Sequence, residues 1–282
     1  MTKISPNSSP TDSLPALAER VAAYAQAGGA QHVSVGIGQS RSIELERRDG
    51  HLERLQESAS SGLSLTLYVD GRFSGHSTSD LRWDALRDFV DRAIPMTRLL
   101  SPDPHRTLAD PKLYQNRSAA PLDLLDPAYD AVTPEQPLAA LEILEGSARP
   151  AGEAINSVTS AYSDTRSRSV LLHSNGFLSE RASTFFSASV EVSVSEPSGK
   201  KPSESHWVGA RYRSDLPALE SVGQEAARKA LSRIGQTRLP SGSMTLVFEN
   251  RAARSLVTHW MRGLYGSSLQ QKRSFLQDKL GQ

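Results

Sequence analysis

Seven histidines, His32, His51, His76, His105, His173, His206 and His259, are the first residues to test, because a zinc hydrolase needs two of them on one helix beside a glutamate. None lies four residues from another or next to a glutamate in that pattern, so each reads as an ordinary surface or core histidine. Gly36 and Gly38 follow a strand-like run as a dinucleotide loop would, but Arg41 stands where Gly-x-Gly-x-x-Gly needs its third glycine. A strand-end turn is the simpler reading. Ser198 and Lys201 have the Ser-x-x-Lys spacing of an acylating serine, inside a stretch that reads as a hairpin turn. Glu142 and Glu145 share a helical face and could form a carboxylate pair for acid–base work, although surface helices place glutamates in this way routinely, as a solvated face. Arg41, Arg47, Arg48 and Arg54 alternate with Glu44, Glu46, Glu53 and Glu57, so their fields largely cancel. These residues by themselves define no catalyst.

Composition removes further classes. The chain has 282 residues and no cysteine, which excludes disulfides, thiolate nucleophiles, cysteine zinc sites and iron–sulfur clusters. With 32 Lys+Arg against 31 Asp+Glu the net charge is +1, which gives no electrostatic footprint for nucleic acid. The first ten residues carry no apolar signal region, and no apolar run is long enough for a membrane helix. A cytoplasmic protein is expected. Only 38% of residues are hydrophobic and about one in seven is serine, so part of the chain should be solvated loop or polar strand.

The elements that must position any site follow from periodicity, and they predict an α+β fold. After a disordered leader over residues 1–12, Leu14, Leu17, Ala18, Val21 and Ala25 recur at helical spacing up to Gly28. Residues 32–37, 42–46 and 63–69 alternate as half-buried strands, Asp70-Gly71 is a type I′ hairpin signal, and a helix from Ser79-Asp80 runs to Pro95. These form an N-terminal α/β-type domain over 13–96. Repeated prolines make 97–137 an extended surface connector. A middle, β-rich domain over 138–236 opens with a short helix ended by Gly146 and continues with strands at 157–162, 169–173, 182–196 and 206–212, forming an antiparallel sheet. A covering helix over 216–234 closes it. Residues 237–282, with a strand at 244–248 and a helix at 252–265, read as the start of a truncated third domain.

Four blocks taken in order carry more information than any single motif. They are residues 62–72 (Gly-Leu-Ser-Leu-Thr-Leu-Tyr-Val-Asp-Gly-Arg), 77–81 (Ser-Thr-Ser-Asp-Leu), 173–177 (His-Ser-Asn-Gly-Phe), and Gly266-Ser-Ser-Leu with Arg273-Ser-Phe-Leu through Lys279-Leu-Gly. Together they resemble the TldD/PmbA metallopeptidase family, once called modulator of DNA gyrase, in which PmbA is also called TldE. The resemblance runs from about residue 15 to the end and implies a longer parent architecture of three domains, the last a β domain. In the TldD branch it implies a His-Glu-x-x-x-His zinc helix leading into Gly-Leu-x-Gly, with a cysteine as a further ligand. The Gly-Leu-Tyr-Gly here is residues 263–266, which places Val257, Thr258 and Arg262 at the zinc-helix positions. Valine has no lone pair, threonine is a poor base, and arginine is a permanent cation, so no metal is expected in this chain.

The resemblance therefore implies the PmbA/TldE branch: a non-catalytic subunit of a cytoplasmic heterodimeric peptidase, without cofactor of its own. Its expected partners are a TldD-like zinc-bearing subunit and an unfolded or extended peptide substrate, with no membrane and no nucleic acid. The alternative is a stand-alone peptide-binding or regulatory module in which residues 169–173 and 182–196 accept a peptide as an added strand. Trp260 and Tyr265 are candidates for an interface, with core packing the other reading.

Overall fold

The structure, a computed structural model, describes residues 13–118, 120–279 and 281. The leader expected at 1–12 lies outside them. The chain divides into two compact units, Met1–Gly235 and Gln236–Gln282.

The first unit is α+β, as its patterning predicts, and is built on one antiparallel sheet of six strands. In chain order it comprises α1 (Leu14–Ala27), β1 (His32–Arg48), β2 (His51–Val69), β3 (Arg72–Thr78), α2 (Trp83–Arg98), α3 (Glu135–Ala148), β4 (Ile155–His173), β5 (Phe177–Val194), β6 (Ser203–Ala210) and α4 (Leu219–Leu231). The strand order is β3-β2-β1-β4-β5-β6. The segments read as two domains thus share one ladder, because β1 pairs with β2 on one side and with β4 on the other. The break near residue 96 is a break in the chain's course but not in its hydrogen bonding.

Several strands are longer than their patterns suggest. Residues 32–37 and 42–46 are one strand, as are 157–162 and 169–173, and β2 begins at His51 rather than at residue 63. Apolar alternation lapses in these bridging stretches, but hydroxyl pairs take over there: Ser40 to Ser60 and Ser42 to Ser58 at 2.8 Å, and Ser163 to Ser187 at 2.9 Å. The β1–β2 turn at Asp49-Gly50 went unread. Its φ values of 49° and 86° are the left-handed pair a two-residue hairpin needs, just as Asp70 and Gly71 supply 51° and 71°. Asp49 also accepts hydrogen bonds from Ser157 Oγ (2.8 Å) and Val158 N (2.9 Å) and pairs with Arg149. Burial alone would raise its pKa, but these donors win and hold it below the usual carboxylate range.

The helices all cover one face. α1 and α2 pack Leu17, Val21, Leu86 and Val90 on Val33, Val35, Leu65 and Leu67. α3 and α4 pack Leu144, Val222, Ala226 and Ala230 on Val158, Val190 and Val192. Each fully buried Val or Leu contributes roughly 1.5–3 kcal/mol. α2 continues past Pro95 to Arg98, since the carbonyl that proline leaves unpaired, four residues earlier at Asp91, lies on the exposed side of the helix. α3 likewise passes through Gly146, and α4 stops at Leu231, which leaves Ile234 outside the core. The connector is less extended than expected: it has two single 3-10 turns, at Pro111–Leu113 and Tyr129–Ala131, and it buries Leu108 and Tyr129.

Two expectations fail, the first in part. The docking edges offered at 169–173 and 182–196 are mostly covered: the first lies in β4 between β1 and β5, and in the second β6 covers the outer edge of β5 from Phe186 to Ser193. In the second unit, residues 244–248 form no strand, because an apolar run becomes a strand only beside a partner, and the unit offers none among the described residues. Among its described residues that unit has two helices, α5 (Asn250–Arg262) and α6 (Gly266–Gln270). No described helix is long and apolar enough to cross a membrane.

Helix packing gives a test with opposite signs at two glycines. A Cβ on Gly223 would sit 2.1 Å from Ser147 Oγ and 2.4 Å from the Leu144 carbonyl oxygen, whereas one on Gly146 would meet nothing within 4 Å. Gly223→Ala should destabilise by about 1–3 kcal/mol, and Gly146→Ala should stabilise by up to about 1 kcal/mol. Urea unfolding of both variants checks this; equal shifts would contradict the close approach of α3 and α4.

Candidate functional site

Between the two helix pairs, the helix-side face of the sheet carries polar residues where the alternation calls for core. Along β4 the inward positions Val158, Ser160 and Tyr162 continue to Asp164, Arg166 and Arg168, and cross-strand neighbours Arg41 and Gln39 extend the band onto β1. Asp164 is 1% exposed and Tyr162 is 2% exposed. The connector covers part of this band, at Asp164 and Arg166, while Gln39, Arg41 and Arg168 stay exposed. Tyr129 donates its hydroxyl to Asp164 Oδ1 at 2.7 Å, and Asp130 binds Arg166 Nη1 through both oxygens at 2.5 and 2.7 Å. Arg41 reaches Glu57 at 2.8 Å. Further along, Asp126 N–H donates to Thr184 Oγ1 at 2.8 Å, and Asp126 Oδ2 accepts from Arg213 N at 2.9 Å.

Burial drives the pKa of Asp164 up, against the Tyr129 hydrogen bond and the charges of Arg41 and Arg213, with Glu57 adding to the rise. Burial, and then the charge of Asp164, push the Tyr162 hydroxyl up to about 12 against Arg213. Asp164 Oδ2 and the Tyr162 hydroxyl have no partner among the described residues. The band holds no nucleophile activated by an adjacent base, and among the described residues no group of three or more His, Cys, Asp or Glu could hold a metal ion. Its chemistry is that of a clasp fixing the connector to the sheet. Pattern reading missed it, although a carboxylate at an inward position of a β-branched and aromatic strand was a visible signal.

The residues singled out by spacing fall in different places. Gly36 and Gly38 are not at a strand end but inside β1, where the ladder continues on both sides. With Gly62, Ser64, Ser169 and Ser179 they line an open trough of about 1010 Å³ on the face opposite the helices, with Arg181 and Phe177 at its rim. The solvated face expected at Glu142 and Glu145 holds for the first, whose side chain is 67% exposed, and fails for the second, which is buried; Arg47 of β1 lies 2.9 Å from Glu142 and 3.1 Å from Glu145. Ser198 and Lys201 sit in the β5–β6 turn. Burial lowers the pKa of His76, which packs on Phe89, and of His173, which packs on Phe177. On α5, Val257, Thr258, His259, Trp260 and Arg262 are all exposed, as is Tyr265 just beyond it. Thr258 Oγ1 donates to the Arg254 carbonyl at 2.9 Å. Valine, threonine and arginine at positions 257, 258 and 262 supply no zinc ligand set.

A single antiparallel sheet with four helices on one face and a clasped connector places the chain in a defined α+β class. The family model described as PmbA/TldA metallopeptidase domain 1 matches residues 33–96, and that of the PmbA/TldA metallopeptidase central domain matches residues 127–234. The chain belongs to the PmbA/TldD family. It is 29% identical over 255 residues to metalloprotease PmbA of Escherichia coli O157:H7, covering 90% of this chain and 56% of that one. It is 25% identical over 247 residues to a PmbA homolog of Haemophilus influenzae, covering 88% and 54%. The chain thus spans about half the length of the curated relatives it matches. Among solved structures, a proposed modulator of DNA gyrase from Bacteroides thetaiotaomicron superposes with a TM-score of 0.89 at 34% identity, covering 95% of this chain and 61% of that one. TldE from Thermococcus kodakarensis shares the fold, with a TM-score of 0.63 at 16% identity over 77% of this chain and 47% of that one.

The clasp makes a prediction about pH. Because the folded-state pKa of Asp164 lies above its unfolded value, its stabilising contribution is complete below the ordinary carboxylate range and is lost as pH rises through the raised value. Asp164→Asn keeps an acceptor for Tyr129 and removes the titration. The stability of the variant relative to the wild type should therefore increase with pH across that window, as read from urea unfolding at a series of pH values. A pH-independent difference would show that the carboxyl titrates normally.

Proposed function

We propose that this chain is the TldE-type, non-catalytic member of a cytoplasmic peptidase, pairing with a zinc-bearing TldD-like subunit that supplies the activated water. Two family domains in the family's order establish the lineage. The observation that carries the finer reading is the chemistry at the zinc-helix positions. Val257 offers no lone pair, Thr258 Oγ1 is engaged with the backbone of its own helix, and Arg262 repels a divalent cation. On this reading the chain contributes walls and contacts for a peptide, and the apolar side chains of Trp260 (53% exposed) and Tyr265 (61% exposed) are available to an interface.

Affinity purification of the chain from its native cells, with mass spectrometry and zinc analysis, tests this. A longer partner carrying His-Glu-x-x-x-His should co-purify with about one zinc per pair, and the chain alone should be free of both zinc and peptidase activity. Stoichiometric zinc together with peptide hydrolysis by the isolated chain would overturn the proposal.

A further inference from the structure

The outer edge of β5 is free over a short, well-defined stretch. β6 covers β5 from Phe186 to Ser193, and beyond that the connector takes over. The direction in which each β5 residue points its main-chain groups can be read from four bonds. Thr184 N–H donates to the Leu124 carbonyl at 2.9 Å, and Val194 N–H donates to Pro202 at 2.9 Å. The carbonyl of Thr184 accepts from Arg211 Nη1 at 3.2 Å, and that of Leu178 accepts from Arg117 Nη2. All involve even-numbered residues, so even residues face the outer edge and odd ones face β4. The groups of Glu180 and Ala182 therefore point outward, and among the described residues neither has a main-chain partner on that side.

These groups line a groove of about 680 Å³ whose opposite wall is formed by Arg117, Pro121, Leu122 and Leu124 of the connector. The groove is closed at one end by the Arg117–Leu178 bond and at the other by the Leu124–Thr184 bond. From Leu178 to Thr184 the strand spans roughly 20 Å at about 3.3 Å per residue, which admits about four residues of extended chain. Its alternating donors and acceptors in strand register are complemented by another extended backbone. The longer free edge of β2, from His51 to Gly62, has no facing wall and carries charges that blunt it.

We infer that the groove between the β5 edge at Glu180–Ala182 and the Pro121–Leu124 wall binds an extended peptide, which adds to the sheet in line with β6. Main-chain bonds to Glu180 and Ala182 hold it with little demand on sequence, and the exposed Leu122 offers an apolar contact. The inference deepens the reading of this chain as a peptide-handling subunit, yet its test needs neither a partner nor zinc, so the two readings can fail separately.

The probe is a mixture of acetylated, amidated tripeptides randomised at every position, added to the isotope-labelled full chain, with amide hydrogen exchange read by NMR. In the free protein the amides of Glu180 and Ala182 should exchange fast while those of Ser179, Arg181 and Ser183 are protected. Peptide should slow Glu180 and Ala182 by about tenfold or more, a change of about 1.4 kcal/mol. Ala182→Pro removes a groove-facing donor and no bond to β4, and Leu122→Trp fills the groove from the opposite wall; each should weaken peptide binding at least about tenfold. If Ala182→Pro fails to fold, Leu122→Trp decides. Unchanged exchange at Glu180 and Ala182 under saturating peptide, or undiminished binding by Leu122→Trp, overturns the inference.

Discussion

The pairing of β1 with β4 is the interaction on which the rest of the first unit depends. Arg48 pairs with Thr159 and Ser34 with His173, so one ladder spans segments more than a hundred residues apart and closes the sheet across the connector. Loop closure over that distance costs entropy that grows only slowly with length, whereas each paired residue along two long strands returns a hydrogen bond and, inward, an apolar side chain. Neither family domain therefore has a complete sheet of its own. β1 contributes the apolar floor under α1 and α2 through Val33, Val35 and Ile37, and by Leu45 it has entered a separate cluster with Tyr129, Leu141, Tyr162 and Phe186. Asp49 reinforces the joint, because the turn that ends β1 is tied by its carboxylate to Ser157, Val158 and Arg149.

With all four helices on one side, the other face of the sheet must tolerate water. It does so with short side chains, and hydroxyl pairs across the strands satisfy one another where aromatic or branched residues would leave an apolar surface. This accounts for the abundance of serine and the low hydrophobic fraction without any disordered tract within the sheet. On the helix side, the gap between the helix pairs holds the buried Asp164 and Asp126, bonded to Tyr129, Thr184 and Arg213, with half-exposed ion pairs around them. A polar interior of this kind is specific in geometry because each group has few alternative partners.

Much of this was legible. Helical spacing located α1, α2 and α4, strand patterning located parts of β1, β2, β4, β5 and β6, and the Asp70-Gly71 turn signal marked where β3 follows β2. The family followed from four ordered blocks. What pattern could not reveal was continuity: Gln39 to Ser42 carry no apolar alternation, so their place in a strand is decided by neighbours on both sides. Glu145 looks solvated in sequence because Arg47, nearly a hundred positions away, is what it faces. The clasp was hidden for the same reason, since Tyr129 lies in a segment whose prolines speak only of loop. The run Met244 to Phe248 misled in the opposite sense, having strand composition without a strand partner.

The polar groups of the first unit are spent on holding its own elements together. Peptide hydrolysis needs an activated water placed at a scissile carbonyl, and that requires ligands converging on a metal or a base beside a nucleophile. Along β4 and β1 the charged groups converge instead on one another, and the pairs Arg166–Asp130 and Arg41–Glu57 leave little field to act on a substrate. Free valence remains in the main chain, at the edge of β5, where the connector is fixed at two points and stands away between them. The clasp through Tyr129, Asp126 and Thr184 thereby does more than bury a loop. By fixing the connector beside the sheet, it sets the width of the groove, so the buried polar network and the proposed peptide slot form one mechanical unit.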